Sequence, residues 1–161
     1  MNKLKVFTVI GILFTLIMGT LSHFTYEWSG NNPIVGLVSA VNESVWEHMK
    51  LIFFPMLFYS FFMSYQVKNQ YPCISSAFNA GILLGTLLIP TVYYIYTGIL
   101  GYNLLILDIG TFVISVLISF YAVYRLSISC RFKKIQVPLQ IIVLLFTISF
   151  MVFTYVHPDF T

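Results

Sequence analysis

Charge is what this chain has least of. Only 8% of its 161 residues are Asp, Glu, Lys or Arg, where an ordinary soluble domain carries roughly 25%. Hydrophobic residues make up 59% and the mean hydropathy is +0.92, which excludes a water-soluble globule. Glycine-rich phosphate loops are missing too: there is no GxxxxGK[ST] and no GxGxxG after a strand, and no basic stripe interleaved with aromatics. Nucleotide and nucleic-acid partners therefore have no support. Two cysteines, Cys73 and Cys130, are too few for a disulfide framework.

What is abundant is apolar runs. They cover residues 6–22, 46–65, 74–96, 104–124 and 135–156, and each is long enough to cross about 30 Å of hydrocarbon as a helix. Five spans of about 20 residues use on the order of 100 residues and leave no room for a separate soluble domain. The expected fold is all-α, a polytopic bundle of about five transmembrane helices forming one domain over residues 1–161. Gly, Pro, Asn and Ser punctuate the loops, of which only 23–45 is long. Within it Ile34 to Val41 is apolar but too short to cross, so it should lie along the interface or dip back into the bundle. The first run reads as a span rather than a secretory signal, since it exceeds a typical apolar signal core and no A-x-A-like cleavage site follows.

Lys3, Lys5, Lys68, Arg125, Arg131, Lys133 and Lys134 all fall on one side of five spans, and only Lys50 falls on the other. Positive flanks resist translocation, so the N-terminus is expected inside and the C-terminus outside, in a multi-pass protein of the cell membrane. Both cysteines then face the cytoplasm, and no disulfide is expected. Asn42-Glu43-Ser44 matches a glycosylation sequon but abuts a span and reads as a chance match that opens a helix.

On this topology every Asp, Glu and His is extracytoplasmic or in the outer half of the membrane. His23 and Glu27 close the first helix; Glu43, Glu47, His48 and Lys50 open the second; Asp108 lies in the outer third of the fourth; His157 and Asp159 end the fifth. An ionisable group at membrane depth normally faces a bundle interior or wet cavity, so an outward-opening polar pocket is expected. At 100° per residue Glu43, Glu47 and Lys50 line up with Ser44 and His48 beside them, a polar face roughly 160° wide. Ser44 with Glu47 has the spacing of a capping box, which accounts for one glutamate and leaves Glu43, His48 and Lys50 to be explained. Lys50 is expected to pair with Glu47 or Glu43. Asp108 carries Thr111, Ser115 and Ser119 on its face; it is either a catalytic acid, metal ligand or proton site, or an acid held by Tyr and Asn donors. Pro55 and Pro90 should kink their helices, and Ala77, Gly81 and Gly85 should let helices pack closely.

The stretches His23-Phe24-Thr25-Tyr26-Glu27-Trp28-Ser29-Gly30-Asn31-Asn32-Pro33 and Val41-Asn42-Glu43-Ser44-Val45-Trp46-Glu47-His48-Met49-Lys50, with the apolar run to Pro55, resemble an uncharacterised family of small polytopic membrane proteins from Gram-positive bacteria. The likeness covers most of the chain and implies about five helices, with no activity to carry over. A partial likeness is to the alkaline ceramidase and progestin/adipoQ receptor superfamily of membrane metallohydrolases. Ser44 and His48 match its Ser-x-x-x-His and Asp108 its Asp. The paired-His element is missing, because Thr161 stands four residues after His157.

Three functions remain open. The first is a metal-dependent hydrolase or transferase acting on a lipid or lipid-linked substrate, with His23, His48 and His157 as candidate zinc ligands, Asp108 as a further one, and Glu43, Glu47 and Asp108 as candidate catalytic carboxylates. No HExxH or paired-His spacing marks such a site. The second is a proton- or cation-coupled transporter or binding protein for a small solute, which with five helices would need a homodimer. The third is a scaffold without chemistry.

Overall fold

A computed structural model describes residues 3–156, and among them there is no strand. The elements are α1 (Lys3–Trp28), α2 (Pro33–Gly36), α3 (Val45–Val67), α4 (Ile74–Leu100), α5 (Leu105–Ser129), a 3₁₀ turn (Lys133–Ile135) and α6 (Gln136–Val156). Four helical stretches, Lys3–Trp28, Ile74–Leu100, Leu105–Ser129 and Lys133–Val156, are long and apolar enough to cross a membrane. The fifth long helix, α3, is the most buried of all and packs on α1, α4 and α6. Helices α1, α3, α4 and α5 close a ring, with α6 laid against α3 and α4.

Outward faces carry large apolar side chains such as Ile17, Phe61, Ile99, Leu105, Ile106, Ile109 and Leu144. An exposed apolar surface of that extent suits lipid rather than water. The architecture is a helical membrane bundle.

Helix α1 runs six residues past the expected end of its apolar run, because His23 and Glu27 do not interrupt a helix. The stop comes at Gly30 and Asn31, whose φ angles of 71° and 60° turn the chain out of it. The apolar stretch after Asn32 makes one helical turn and folds back against the bundle end, where Gly36, Ser39 and Ala40 are buried. Both prolines sit inside continuous helices. Each lacks an N–H, so the carbonyls of Leu51 and Thr86, four residues earlier, lose their helical donors.

Small residues set the helix spacing. A Cβ on Gly19 would lie 2.5 Å from the Leu51 carbonyl oxygen, and one on Gly85 would lie 2.7 Å from Ile52 Cδ1 as well as against the Ser119 hydroxyl. Around them a core of Phe53, Phe78, Phe120 and Phe150 fills the interior.

One expectation is corrected. Cys73 and Cys130 are joined in a disulfide, with Cα atoms 5.3 Å apart. The reduced state was inferred from compartment alone. Antiparallel α4 and α5 bring the start of one beside the end of the other, and this puts the two thiols in reach.

Substituting Gly85→Ala should destabilise the protein by about 1–3 kcal/mol through overpacking. Gly98→Ala, where a Cβ meets nothing within 4 Å, should be neutral or slightly stabilising; thermal melts of both variants in one detergent check this.

Candidate functional site

The site begins at the cap of α3. Ser44 is extended (φ −70°, ψ 152°) and its hydroxyl accepts from the Glu47 amide at 3.3 Å. A cap in extended conformation turns the chain away from the helix axis, so Glu43 lies before the helix and not on its polar face. That face is thereby split in two.

Its inner half is buried. Glu47 is 2% exposed and Lys50 fully enclosed, and they pair at 2.6 Å. Lys50 Nζ also donates to the Gly36 carbonyl at 2.9 Å and to Thr154 Oγ1 at 2.8 Å. Glu47 Oε2 accepts from the Val41 amide at 3.0 Å, the place a reciprocal capping-box bond to Ser44 would have taken. An ammonium with three acceptors and a carboxylate with its own donors satisfy the conditions for keeping an ion pair out of water.

Its outer half faces α1. Glu43 Oε2 stands 3.5 Å from Nε2 of His23 and 3.5 Å from Nε2 of His48. The three ligand-type atoms lie within 4.8 Å of one another, and the two imidazole rings meet edge-on with centroids 5.2 Å apart. The close contact of Gly19 with the Leu51 carbonyl sets this meeting: His23 is one turn beyond Gly19, and His48 is one turn before Leu51 on the antiparallel helix. His48 Nδ1 is 2.8 Å from the Ser44 carbonyl oxygen. A carbonyl only accepts, so Nδ1 carries a proton and Nε2 is the nitrogen turned to Glu43.

His23, Glu43 and His48 line a cavity of about 270 Å³ walled by Val45 and Leu51 of the α3 segment, Ile89 and Tyr93 of α4, Asn103, and Leu105, Asp108, Thr111 and Phe112 of α5. Asp108 stands in the first turn of α5, where a carboxylate favours the helix dipole, and it accepts from the Tyr96 hydroxyl. Tyr96 in turn meets Tyr93 edge-on at 5.5 Å. A larger apolar groove of about 700 Å³ runs past Pro55 between α1, α2 and α3, on the face of α1 away from His23, with no titratable acid, base or imidazole in its wall.

Of the expected site residues, the structure brings together His23, Glu43 and His48 and sets Asp108 in the same cavity. Glu47 is turned to the buried pair, and His157 lies outside the described residues. Tyr93, Asn103 and the Tyr96 to Asp108 bond were not singled out as site features from sequence; the signal was Asp108 itself, which needs a donor.

Residues 1–161, the whole chain, match a family of unknown function (DUF6512). The chain belongs to this family. No curated protein and no solved structure matches it.

Removing one partner of the buried pair strands the other charge. Glu47→Gln or Lys50→Met should each cost about 3–5 kcal/mol, and the double variant should recover part of that loss in the same thermal melts.

Proposed function

We propose that this is a multi-pass protein of the cell membrane whose outer cavity binds zinc and hydrolyses or transfers part of a lipid or lipid-linked substrate. One observation carries the reading: two imidazole nitrogens and a carboxylate oxygen converge, with the His48 tautomer pinned from behind by the Ser44 carbonyl. Two histidines and a carboxylate are a donor set that zinc takes, and one ion could draw a ligand atom from each of the three side chains. Tetrahedral zinc bonds of about 2.0–2.2 Å put neighbouring ligand atoms about 3.3–3.6 Å apart, which accommodates both 3.5 Å separations. A backbone carbonyl behind a ligating histidine is the usual second partner that orients such rings.

When bound, zinc supplies a Lewis acid and brings a coordinated water to a pKa of about 7. In this reading His23, His48 and Glu43 hold the ion, and Glu43 acts as ligand instead of general base. Asp108, Tyr93, Asn103 and Thr111 face the reacting group across the cavity, and Glu47 serves to hold the loop. A cavity of about 270 Å³ is headgroup-sized, below the roughly 300–1,000 Å³ of most small-molecule sites. The Lys and Arg distribution supports an outward opening, because all of them but Lys50 gather at the opposite end of the bundle, while the Cys73–Cys130 disulfide at that same end counts against it. The resemblance to small membrane proteins of Gram-positive bacteria and to membrane metallohydrolases is compatible with this reading.

Purified in neutral detergent, the protein should carry about one zinc per chain by elemental analysis, with most of it lost in His48→Ala and Glu43→Gln. A metal-free wild type, or content unchanged in both variants, would falsify the reading.

Cation or proton passage, through a homodimer, is the second reading, and one feature favours it. Thr15, Thr86 and Ser115 are buried hydroxyls without a hydrogen-bond partner. Counting residues from His23, Tyr93 and Asp108, they form a layer about 10–12 Å below the cavity at 1.5 Å per residue. Cation flux into proteoliposomes that Asp108→Asn abolishes would select this reading over hydrolysis.

A further inference from the structure

The wall of the cavity opposite the histidines carries a carboxylate, Asp108, with which no described Lys or Arg pairs. Among the described residues lining it there are two carboxylates, Glu43 and Asp108, and no Lys or Arg. Glu43 is faced by two imidazoles. Lys50, the cation nearest in sequence, is committed to Glu47, Gly36 and Thr154. Asp108 receives one neutral hydrogen bond, from Tyr96, which orients the carboxylate without neutralising it. The dipole of α5 offsets about half a charge at its N-terminus, and a carboxylate at this depth is costly unless paired or wet.

The chemistry around Asp108 is selective. Tyr93 lines the cavity beside it and lies edge-on to Tyr96, so an acid is flanked by aromatic rings. An anionic group at this end would be repelled by Asp108 and gains nothing from a ring face. A primary or quaternary ammonium gains from each element: charge pairing with Asp108, attraction to the ring quadrupole of Tyr93, and a hydrogen bond to Asn103 where the amine has N–H groups.

We infer that the wall of Asp108 and Tyr93, with Tyr96 holding the carboxylate, is a subsite for the ammonium of a zwitterionic headgroup. This deepens the hydrolase reading and rests on it only for the reaction. The metal end would face the ester or phosphodiester, and the acid end would select the amine-bearing substrate.

The experiment is headgroup competition read by native mass spectrometry from neutral detergent, with phosphatidylethanolamine and phosphatidylglycerol of matched chains as probes. Wild type should prefer phosphatidylethanolamine by about tenfold, a difference of about 1.4 kcal/mol. Asp108→Asn should bring the ratio near one, and Tyr93→Leu should lower it severalfold. Asp108→Glu and Tyr93→Phe should retain it, which separates a lost subsite from a lost fold. Displacement by millimolar ethanolamine would identify a free amine as sufficient, and resistance to it would identify the lipid. Equal retention of the two lipids by wild type, or an unchanged ratio in Asp108→Asn, overturns the subsite. Zinc measured on the same samples keeps the two claims apart. His48→Ala should lose metal and keep the preference, whereas metal with no preference sinks this inference alone.

Discussion

An ammonium group sealed inside an apolar bundle has to be surrounded by acceptors, and this requirement on Lys50 organises the end of the bundle where α3 begins. Its three partners come from α3, from the loop after α1 and from α6. Burying one charge thus fixes the relative positions of three segments distant in sequence. The same pairing draws Glu47 inward. Glu43, on the far side of the Ser44 cap, is left to face the histidines. Where Lys50 lies decides which glutamate is buried and which stays at the cavity.

Much of the fold was legible because bilayer physics allows so few solutions. Each apolar run became a helix, Ser44 capped α3, and the Lys50 to Glu47 pair follows from their spacing of three residues along a helix. The small residues of α4 meet α5 as their pattern implied, with Gly81 and Gly85 against Val123 and Ser119. The end of α1 was misjudged, since polar residues were taken to close a helix that only a left-handed turn could stop. The α3 helix is the instructive case. It is the long helix least suited by composition to face lipid, and it is the most buried, packed on α1, α4 and α6.

His23, Glu43, His48 and Asp108, named from the sequence, line one cavity, but which of them touch could not be read there. Rare ionisable side chains on one side of the membrane pointed to a polar chamber. Which of them touch depends on tertiary register, and His23 meets His48 because Gly19 admits the Leu51 carbonyl. Nor could periodicity separate Glu43 from Glu47, because an ideal helix was extended two residues too far back, past the Ser44 cap. The cysteine pair was missed for a related reason: redox compartment argues about thiols in general, while antiparallel packing of α4 and α5 acts on these two. Tyr96 illustrates the opposite case, a donor demanded by Asp108 but drawn from several tyrosines at the same level.

The attachment of the last helix to the first loop has a consequence for biogenesis. Tyr155 donates to the Pro33 carbonyl at 2.6 Å, and Thr154 shares Lys50 with Gly36. Helix α6 leaves the ribosome after α1, α3, α4 and α5, so the segment between α1 and α3 has no complete set of anchors while those helices are being inserted. Only when the final helix partitions into the bilayer does the loop dock and Glu43 come to rest opposite its imidazoles. Assembly of the chamber is therefore a late event in synthesis, and a chain stalled before α6 would hold its spans without the architecture that gathers its polar groups.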